Sequence, residues 1–252
     1  MLIKWALITG ATAGIGEATA EKLAEGKVNL ILTGRREEQL GAVKKRLEKY
    51  AVEVVTAAFD LTQKNQVLKF AESYAGYLEK LDVLVNNAGL ALGTEKLNEA
   101  KLEDWDTMID TNIKGLLYLT RQVLPHMLKK KSGHIVNMGS VAGRYVYPGG
   151  GVYCATKFAV RALSESLRLD VHGTGIRVTN IEPGMVETEF SKVRFKGDSD
   201  KAAKIYAGMT PLKAKDIADT IVWTLTRPAH VNIQELVIYP TDQASTRDVH
   251  RV

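Results

Sequence analysis

Short apolar runs rich in Val, Ile and Leu alternate with amphipathic segments of helical length along the chain. A strand covered by helices on both faces is apolar throughout, and a crossover helix links it to a parallel neighbour, so the alternation predicts βαβ units. Seven such runs predict an α/β fold, a doubly wound parallel seven-stranded sheet in a single domain, 1–252. The predicted strands span 2–9, 28–33, 52–58, 83–85, 134–138, 177–181 and 235–239, and the predicted helices span 15–25, 37–50, 64–78, 102–127, 153–170 and 213–226.

Two segments depart from the alternation. Residues 185–211 lack a clear strand period late in the chain, and long insertions in compact domains often cover sites, so this segment is predicted to be a substrate-binding loop or lid. The polar tail 241–252 has little helix or strand pattern, and as an isolated end it is expected to fray.

The composition excludes several classes of protein. With 45% hydrophobic and 25% charged residues the chain resembles an ordinary globular protein, and no window reaches the roughly 18 apolar residues of a membrane span. The first apolar run is short and stops at a glycine, so it resembles a first strand more than a secretory signal. With Cys154 as the single cysteine, this predicts a cytoplasmic location. The net charge is +5 and the densest basic run, 129–131, is short, which favours a solvated helix end over a nucleic-acid site. The five histidines lack metal-ligand spacing, so no metal is predicted.

A glycine-rich turn directly follows the first predicted strand and opens a helix. Its spacing is G-x-x-x-G-x-G, and taken alone it is also compatible with a merely tight turn. At a strand-to-helix turn, however, free backbone N–H groups and the helix dipole stabilise a pyrophosphate, so the position favours a dinucleotide site. The candidate residues of this turn are Gly10, Thr12, Ala13, Gly14, Ile15 and Gly16.

The end of the second predicted strand bears on which dinucleotide is bound. An acidic residue there would accept hydrogen bonds from the ribose 2′-hydroxyl of NAD, but the chain offers Arg35 and Arg36 instead. Guanidinium groups suit a 2′-phosphate through paired, charge-assisted bonds. The sequence therefore predicts NADP rather than NAD, the alternative being that both arginines lie in solvent at a helix start.

A phenol and an ammonium group are spaced to share a helix face. Tyr153 and Lys157 are four residues apart, so the cation can stabilise the phenolate and make the tyrosine a usable general acid and base. Ser140 follows a predicted strand, at the edge where α/β sheets bind ligands, and could hydrogen-bond the reacting oxygen. A serine there is otherwise an ordinary turn or helix-cap residue.

Together these motifs resemble the short-chain dehydrogenase/reductase family, and they span nearly the whole chain. The matching residues are the glycine turn 9–16, Asp60 and Leu61 after the third strand, 86–89 after the fourth, Asn112, Ser140, the Tyr153 and Lys157 pair, and Pro183 with Gly184. The resemblance implies a homotetramer whose tail 241–252 docks on a neighbouring subunit.

The family resemblance also implies roles for single residues. Tyr153 would pass the proton, Ser140 would position and polarise the substrate carbonyl, and Lys157 would lower the tyrosine pKa and bond the nicotinamide ribose. Asn112 would hold a water that links Lys157 to solvent as a proton relay. The other implied cofactor contacts are Asp60, facing the adenine, Leu61, Asn87, Ala88 and Gly89, and, at the nicotinamide end, Pro183, Gly184, Val186 and Thr188.

Within the family the chain is most similar to the NADP-dependent 3-hydroxy acid dehydrogenases, a group that includes serine and allo-threonine dehydrogenases and malonic semialdehyde reductase. The similar segments are 86–93, 193–198, 228–233 and 249–251. The implied reaction is reversible oxidation of the 3-hydroxyl of a short 3-hydroxy acid. Its carboxylate needs a cation, for which Arg194 is preferred, with Arg144 and Lys192 as alternatives.

Two other functions remain open at this point. The same chemistry could serve another ketone, a sugar or a 3-oxoacyl substrate. A protein of a different class, a regulatory NADP sensor without turnover, would share the dinucleotide motif but would not need the Ser140, Tyr153, Lys157 and Asn112 set.

Overall fold

The structure is a computed structural model that describes residues 3–252, so residue 2 of the predicted first strand lies outside the described residues. Its strands are β1 (Trp5–Thr9), β2 (Asn29–Gly34), β3 (Val54–Ala58), β4 (Val83–Asn86), β5 (Gly133–Met138), β6 (Ile176–Pro183), β7 (Val186–Glu187), β8 (Leu212–Lys213) and β9 (Glu235–Ile238). Seven of them form one parallel sheet in the order β3-β2-β1-β4-β5-β6-β9. The predicted doubly wound seven-stranded fold is confirmed.

Helices cover both faces of this sheet. They are α1 (Gly14–Glu25), α2 (Glu37–Leu47), α3 (Lys64–Ser73), α4 (Ala75–Leu78), α5 (Leu102–Ile109), α6 (Leu116–Lys130), α7 (Gly151–Asp170), α8 (Phe190–Arg194), α9 (Ser199–Lys204) and α10 (Ala214–Leu225). Side chains of α1, α2 and α10 pack on one face with Ala6 and Ile8 of β1, whereas those of α3, α4 and α6 pack on the other with Trp5 and Leu7. Because neighbouring strand residues point to opposite faces, a single apolar run supplies two cores.

The predicted helix 102–127 is wrong in one respect. It is divided into α5 and α6 by a π-helical turn, Asp110–Gly115, and α6 continues to Lys130. A π-helical turn carries an extra residue and is frequent at functional sites. Here it contains the buried Asn112.

Residues 185–211 contain more structure than predicted. Strand β7 pairs in parallel with β8 in a separate two-stranded sheet, and α8 and α9 lie between them. Two-residue strands and helices of one or two turns are too short to show a hydrophobic period, which explains why the sequence pattern missed them.

The C-terminal tail folds onto this segment of its own chain. The Arg251 guanidinium donates to backbone carbonyls at residues 205 and 207, and the Val252 amide donates to the Gly208 carbonyl at 2.9 Å. The Thr210 amide donates to the Asp242 carboxylate at 2.7 Å. These contacts hold the tail on its own chain, unlike an isolated polar end, which would fray. The predicted contact of the tail with a neighbouring subunit stays a prediction.

Across residues 3–252, no helix combines the length and the apolar character needed to cross a membrane.

A buried arginine fastens the end of α10 to the central sheet. Arg177 on β6 is 5% exposed, and its guanidinium donates to the carbonyls of Leu225 at 2.9 Å, Val231 at 3.1 Å, Arg227 at 3.4 Å and Thr224 at 3.5 Å. Burial lowers the pKa of Arg177. The last carbonyls of a helix have no intrahelical donor, so this side chain gives a partner to the buried Leu225 carbonyl at the end of α10.

We expect Arg177→Met to lower the free energy of unfolding by about 2 to 4 kcal/mol, because several buried carbonyls lose their donor at once. Denaturant titration measures the change. Arg121→Met, a substitution at an exposed arginine of α6, is the matched control, with an expected change under about 0.5 kcal/mol. Equal midpoints for the two variants would contradict the role of Arg177.

Candidate active site

The carboxyl ends of strands β1 to β6 meet at one edge of the sheet, where a cavity of about 680 Å³ opens. Its volume is in the range of sites for small ligands and cofactors. Most of the residues selected from the sequence line this cavity. They are Gly10, Thr12, Ala13, Gly14, Ile15, Arg35, Arg36, Asp60, Leu61, Asn87, Ala88, Gly89, Ser140, Tyr153, Lys157, Pro183, Gly184, Val186, Thr188 and Arg194.

The glycine turn is held in place by hydrogen bonds to the loop after β4. The Thr9 hydroxyl accepts from the backbone amides of Asn87 at 3.0 Å and Ala88 at 2.9 Å, and the Asn87 side-chain amide donates to the Thr9 carbonyl at 2.9 Å. Gly16 does not line the cavity but is required behind it, since a Cβ there would lie 2.4 Å from the Gly10 carbonyl oxygen. The turn and the loop thus form one rigid wall.

The start of α1 fits the pyrophosphate of a dinucleotide. Gly10 and Gly14 have φ values of +63° and +57°, which only glycine adopts at little cost. The α1 N-cap, Ala13, provides no side-chain cap, so the first helical N–H groups are available to an anion. A Cβ at Gly14 would lie 3.3 Å from the Thr188 Cβ, so glycine keeps the space between the turn and Thr188 open.

At the end of β2 the site carries positive charge. Arg35 and Arg36 are both exposed beside the cavity. The Arg36 guanidinium donates to the Thr12 hydroxyl from Nη2 at 2.8 Å and from Nε at 3.2 Å, and it forms an ion pair with Glu189. This end of the cavity therefore suits a phosphate on the adenosine ribose.

The predicted catalytic groups Ser140, Tyr153 and Lys157 come from two neighbouring parts of the fold, the end of β5 and helix α7. Ser140, after β5, accepts a hydrogen bond from the Ala142 amide at 3.1 Å. Tyr153 and Lys157 lie on α7 and are 9% and 7% exposed. The Lys157 ammonium is 5.9 Å from the Tyr153 ring centroid and donates to the Met138 carbonyl at 2.8 Å.

Burial dominates the electrostatics of these two groups. It raises the pKa of Tyr153 above that of an ordinary phenol; Tyr147 adds to the rise, and a hydrogen bond with Ser140 lowers it. Burial lowers the pKa of Lys157 to about 8. The expected lowering of the tyrosine pKa by Lys157 is therefore not seen in this structure, where desolvation outweighs the attraction of nearby cations.

Asn112 lies behind the cavity rather than in its lining. Its side chain accepts from the Leu90 amide at 2.9 Å and donates to the Leu90 carbonyl at 2.8 Å and to Thr156 Oγ1 at 3.0 Å. A Cβ at Gly89 would lie 3.2 Å from Asn112 Oδ1 and 3.5 Å from Lys157 Nζ, so the two side chains are neighbours. The relay role of Asn112 stays a prediction.

The structure separates the candidate cations for a substrate carboxylate. Arg194 lines the cavity, and its guanidinium carbon is 5.9 Å from the Tyr153 ring centroid. Arg144 lies outside the lining and is neutralised by ion pairs with Glu182 and Glu235. The structure thus contradicts a carboxylate-binding role for Arg144, because two buried or half-buried carboxylates already occupy its guanidinium.

Lys192, the other alternative, is exposed and lies outside the cavity lining.

Several lining residues were not identified from the sequence. Tyr147 accepts a hydrogen bond from Arg194 Nη1 at 3.0 Å, and the Phe190 ring centroid is 5.7 Å from that of Tyr153. Gln243 and Thr246 reach the cavity from the C-terminal tail. An aromatic residue in a loop and polar residues in a tail carry no periodic signal, so only the fold could reveal them.

Within residues 3–252 no group of three or more His, Cys, Asp or Glu side chains could hold a metal ion.

Comparison with known proteins gives a consistent result. A short chain dehydrogenase family profile matches residues 4–199. The chain is 50% identical to the NADP-dependent 3-hydroxy acid dehydrogenase YdfG of Salmonella typhi, over 97% of this chain and 98% of that protein, and 46% identical to the serine 3-dehydrogenase of Agrobacterium fabrum, over 94% of each. The solved closed form of serine dehydrogenase complexed with NADP+ superposes with a TM-score of 0.92 at 47% identity, covering 98% of this chain and 100% of that one. The chain belongs to the short chain dehydrogenase family.

Proposed function

We propose that this protein is an NADP-dependent oxidoreductase that oxidises the 3-hydroxyl of short 3-hydroxy acids, of the serine, allo-threonine and 3-hydroxypropionate type, and catalyses the reverse carbonyl reduction. The observation that carries the proposal is the guanidinium of Arg194 in the same cavity as the buried Tyr153 phenol, with 5.9 Å between its carbon and the ring centroid. A cation so close to a proton donor selects a substrate whose acid group is a few bonds from its reacting carbon. The similarity to a 3-hydroxy acid dehydrogenase and a serine 3-dehydrogenase supports the same substrate class.

The residues of the nucleotide half of the cavity fit NADP. The uncapped start of α1 offers N–H groups to the pyrophosphate, and Arg35 and Arg36 offer guanidinium groups to the 2′-phosphate. The resemblance to the family adds Asp60 near the adenine and Thr188 at the nicotinamide end. The bound dinucleotide supplies or accepts the hydride.

The chain's own residues then handle one proton. The raised pKa of Tyr153 keeps its phenol protonated at neutral pH, as needed to donate a proton to a carbonyl oxygen during reduction. Ser140 orients that oxygen from beside the phenol. Lys157 carries an ammonium below its pKa of about 8 and stabilises the phenolate that is left.

Arg194 is held so that it can receive a carboxylate. Its Nε donates to the Gly93 carbonyl at 3.1 Å and its Nη1 to the Tyr147 hydroxyl at 3.0 Å, while the Gly93 amide donates back to the Arg194 carbonyl at 3.0 Å. Anchoring on both sides lowers the conformational entropy that binding would otherwise cost. Residues 185–211, which include Arg194, act as the substrate lid in this proposal.

A homotetramer and a cytoplasmic location complete the proposal. Apolar side chains on α7, α10 and β9 support an assembly, since Phe158 is 39%, Trp223 45% and Val237 38% exposed. Large exposed side chains on helices and at a sheet edge are what subunit contacts cover.

Tyr153→Phe is expected to lower kcat for oxidation of the preferred hydroxy acid by about 10²- to 10⁴-fold, because it removes the proton donor and acceptor. Absorbance of the reduced nicotinamide measures turnover. Binding of NADP+, followed by fluorescence titration, should change less than about twofold, which separates lost chemistry from lost folding. Turnover at the parent rate would reject the mechanism.

Lys157 gives a prediction on stability against pH. Its pKa is about 8 in the fold and 10.5 for an ordinary lysine, as in the unfolded chain. Between these values the unfolded state binds more protons, so folding becomes more favourable as pH rises. Below about pH 8 both states are protonated and this contribution is flat. The free energy of unfolding of the parent minus that of Lys157→Met should therefore rise by about 1 kcal/mol per pH unit between pH 8.5 and 10.

Denaturant titrations across this pH range give that difference. Lys69→Met, at an exposed lysine of α3, is the matched control and should leave the curve parallel to that of the parent. A parallel curve for Lys157→Met as well would show that burial does not depress the Lys157 pKa.

Arg194→Leu tests the substrate class. Loss of charge-assisted bonds should raise KM about 10- to 100-fold for L-serine, L-allo-threonine and 3-hydroxypropionate, and less than about twofold for an uncharged secondary alcohol. Lys192→Met, at the exposed lysine two residues earlier, is the matched control. Equal effects on acids and on the alcohol would remove Arg194 from this role. Absence of turnover by the parent protein with every compound would favour the non-catalytic sensor.

A further inference from the structure

Arg36 connects the glycine turn to the segment 185–211 at the nucleotide end of the cavity. It follows β2, and its Nε and Nη2 donate to the Thr12 hydroxyl of the glycine turn. Its Nη1 and Nη2 lie 3.3 and 3.4 Å from Oε2 of Glu189, which directly precedes α8 in the segment 185–211. All three guanidinium nitrogens therefore have an acceptor within the protein.

The position of Glu189 is unusual for a site that takes anions. It lines the same cavity as Arg35 and Arg36, and the neighbouring Thr188 lies against Gly14 of the glycine turn. A carboxylate here places negative charge beside the cations that would receive a 2′-phosphate. Carboxylate and phosphate both bind guanidinium groups through paired charge-assisted bonds, so the two anions compete for the same donors.

We propose that Glu189 is a cofactor-specificity residue, which competes with the dinucleotide 2′-phosphate for the Arg36 guanidinium and so weakens the preference for the phosphorylated dinucleotide. The inference rests on the proposed NADP site. When the phosphate binds, the ion pair between Arg36 and Glu189 breaks and the carboxylate remains as a repelling charge. A dinucleotide without the phosphate leaves the pair intact.

The size of the effect follows from exposure. The side chains of Arg36 and Glu189 are 46% and 58% exposed, and an ion pair in water of this kind is worth little. Removing the carboxylate should therefore tighten binding of the phosphorylated dinucleotide only about two- to fivefold. Because exposed charges are screened, the gain should shrink as salt is added.

The experiment compares Glu189→Gln with Glu187→Gln by fluorescence or calorimetric titration. Glu187 is an exposed carboxylate two residues earlier that pairs with Lys213 instead, so its variant makes the same charge change away from Arg36. Glu189→Gln should lower the Kd of NADP+ and of the fragment 2′,5′-ADP about two- to fivefold and leave that of NAD+ unchanged. Glu187→Gln should leave all three unchanged.

Arg36→Leu distinguishes failure of this inference from failure of the proposed site. It should weaken NADP+ but not NAD+, and in the Arg36→Leu background Glu189→Gln should give less than half of its original gain. If Arg36→Leu weakens NADP+ while Glu189→Gln does not tighten it, or tightens NAD+ equally, the competition is overturned and the site stands. If Arg36→Leu leaves NADP+ binding unchanged, Arg36 does not bind the 2′-phosphate, and the competition fails whether or not Arg35 binds it.

Discussion

The hydrogen bonds between Thr9 and the loop after β4 are the interaction on which the site depends. A single hydroxyl receives two backbone amides, from Asn87 and Ala88, and the Asn87 side chain returns a bond to the Thr9 carbonyl. The glycine at position 16 allows the backbone of the turn to pack closely on itself, since a Cβ there would collide with Gly10. The free start of α1 is thereby fixed relative to Tyr153 and Lys157 on α7, and an extended dinucleotide can be held at both ends.

At the end of the site opposite the glycine turn, ionisable groups are buried. A phenol and an ammonium group, Tyr153 and Lys157, are enclosed together, and burial penalises the charged form of each. The fold offsets this cost with local donors and acceptors, the Ser140 hydroxyl for the phenol and the Met138 carbonyl for the ammonium. At neutral pH the phenol therefore keeps its proton, and Lys157, below its pKa of about 8, is still predominantly an ammonium.

The sequence predicted the sheet, most helix bounds and about half of the cavity lining, because continuous apolar runs and motifs at strand ends are local signals. It could not predict the π-helical turn around Asn112, which depends on contacts with Leu90 and Thr156 far along the chain. It preferred Arg194 to Arg144 for a substrate carboxylate but could not exclude Arg144, since only packing reveals that carboxylates already neutralise Arg144. Charge in a sequence shows which residues are cations, whereas the fold decides which of them are free to bind an anion.

The tail residues Gln243 and Thr246 share one cavity with Gly10 from the opposite end of the chain. Contacts this distant in sequence require closure of a long loop, which carries an entropic cost. A chain with the glycine turn in place and the tail undocked would lack the wall that the tail completes. Enzymatic turnover would then report complete folding, while dinucleotide binding alone could be regained earlier during renaturation.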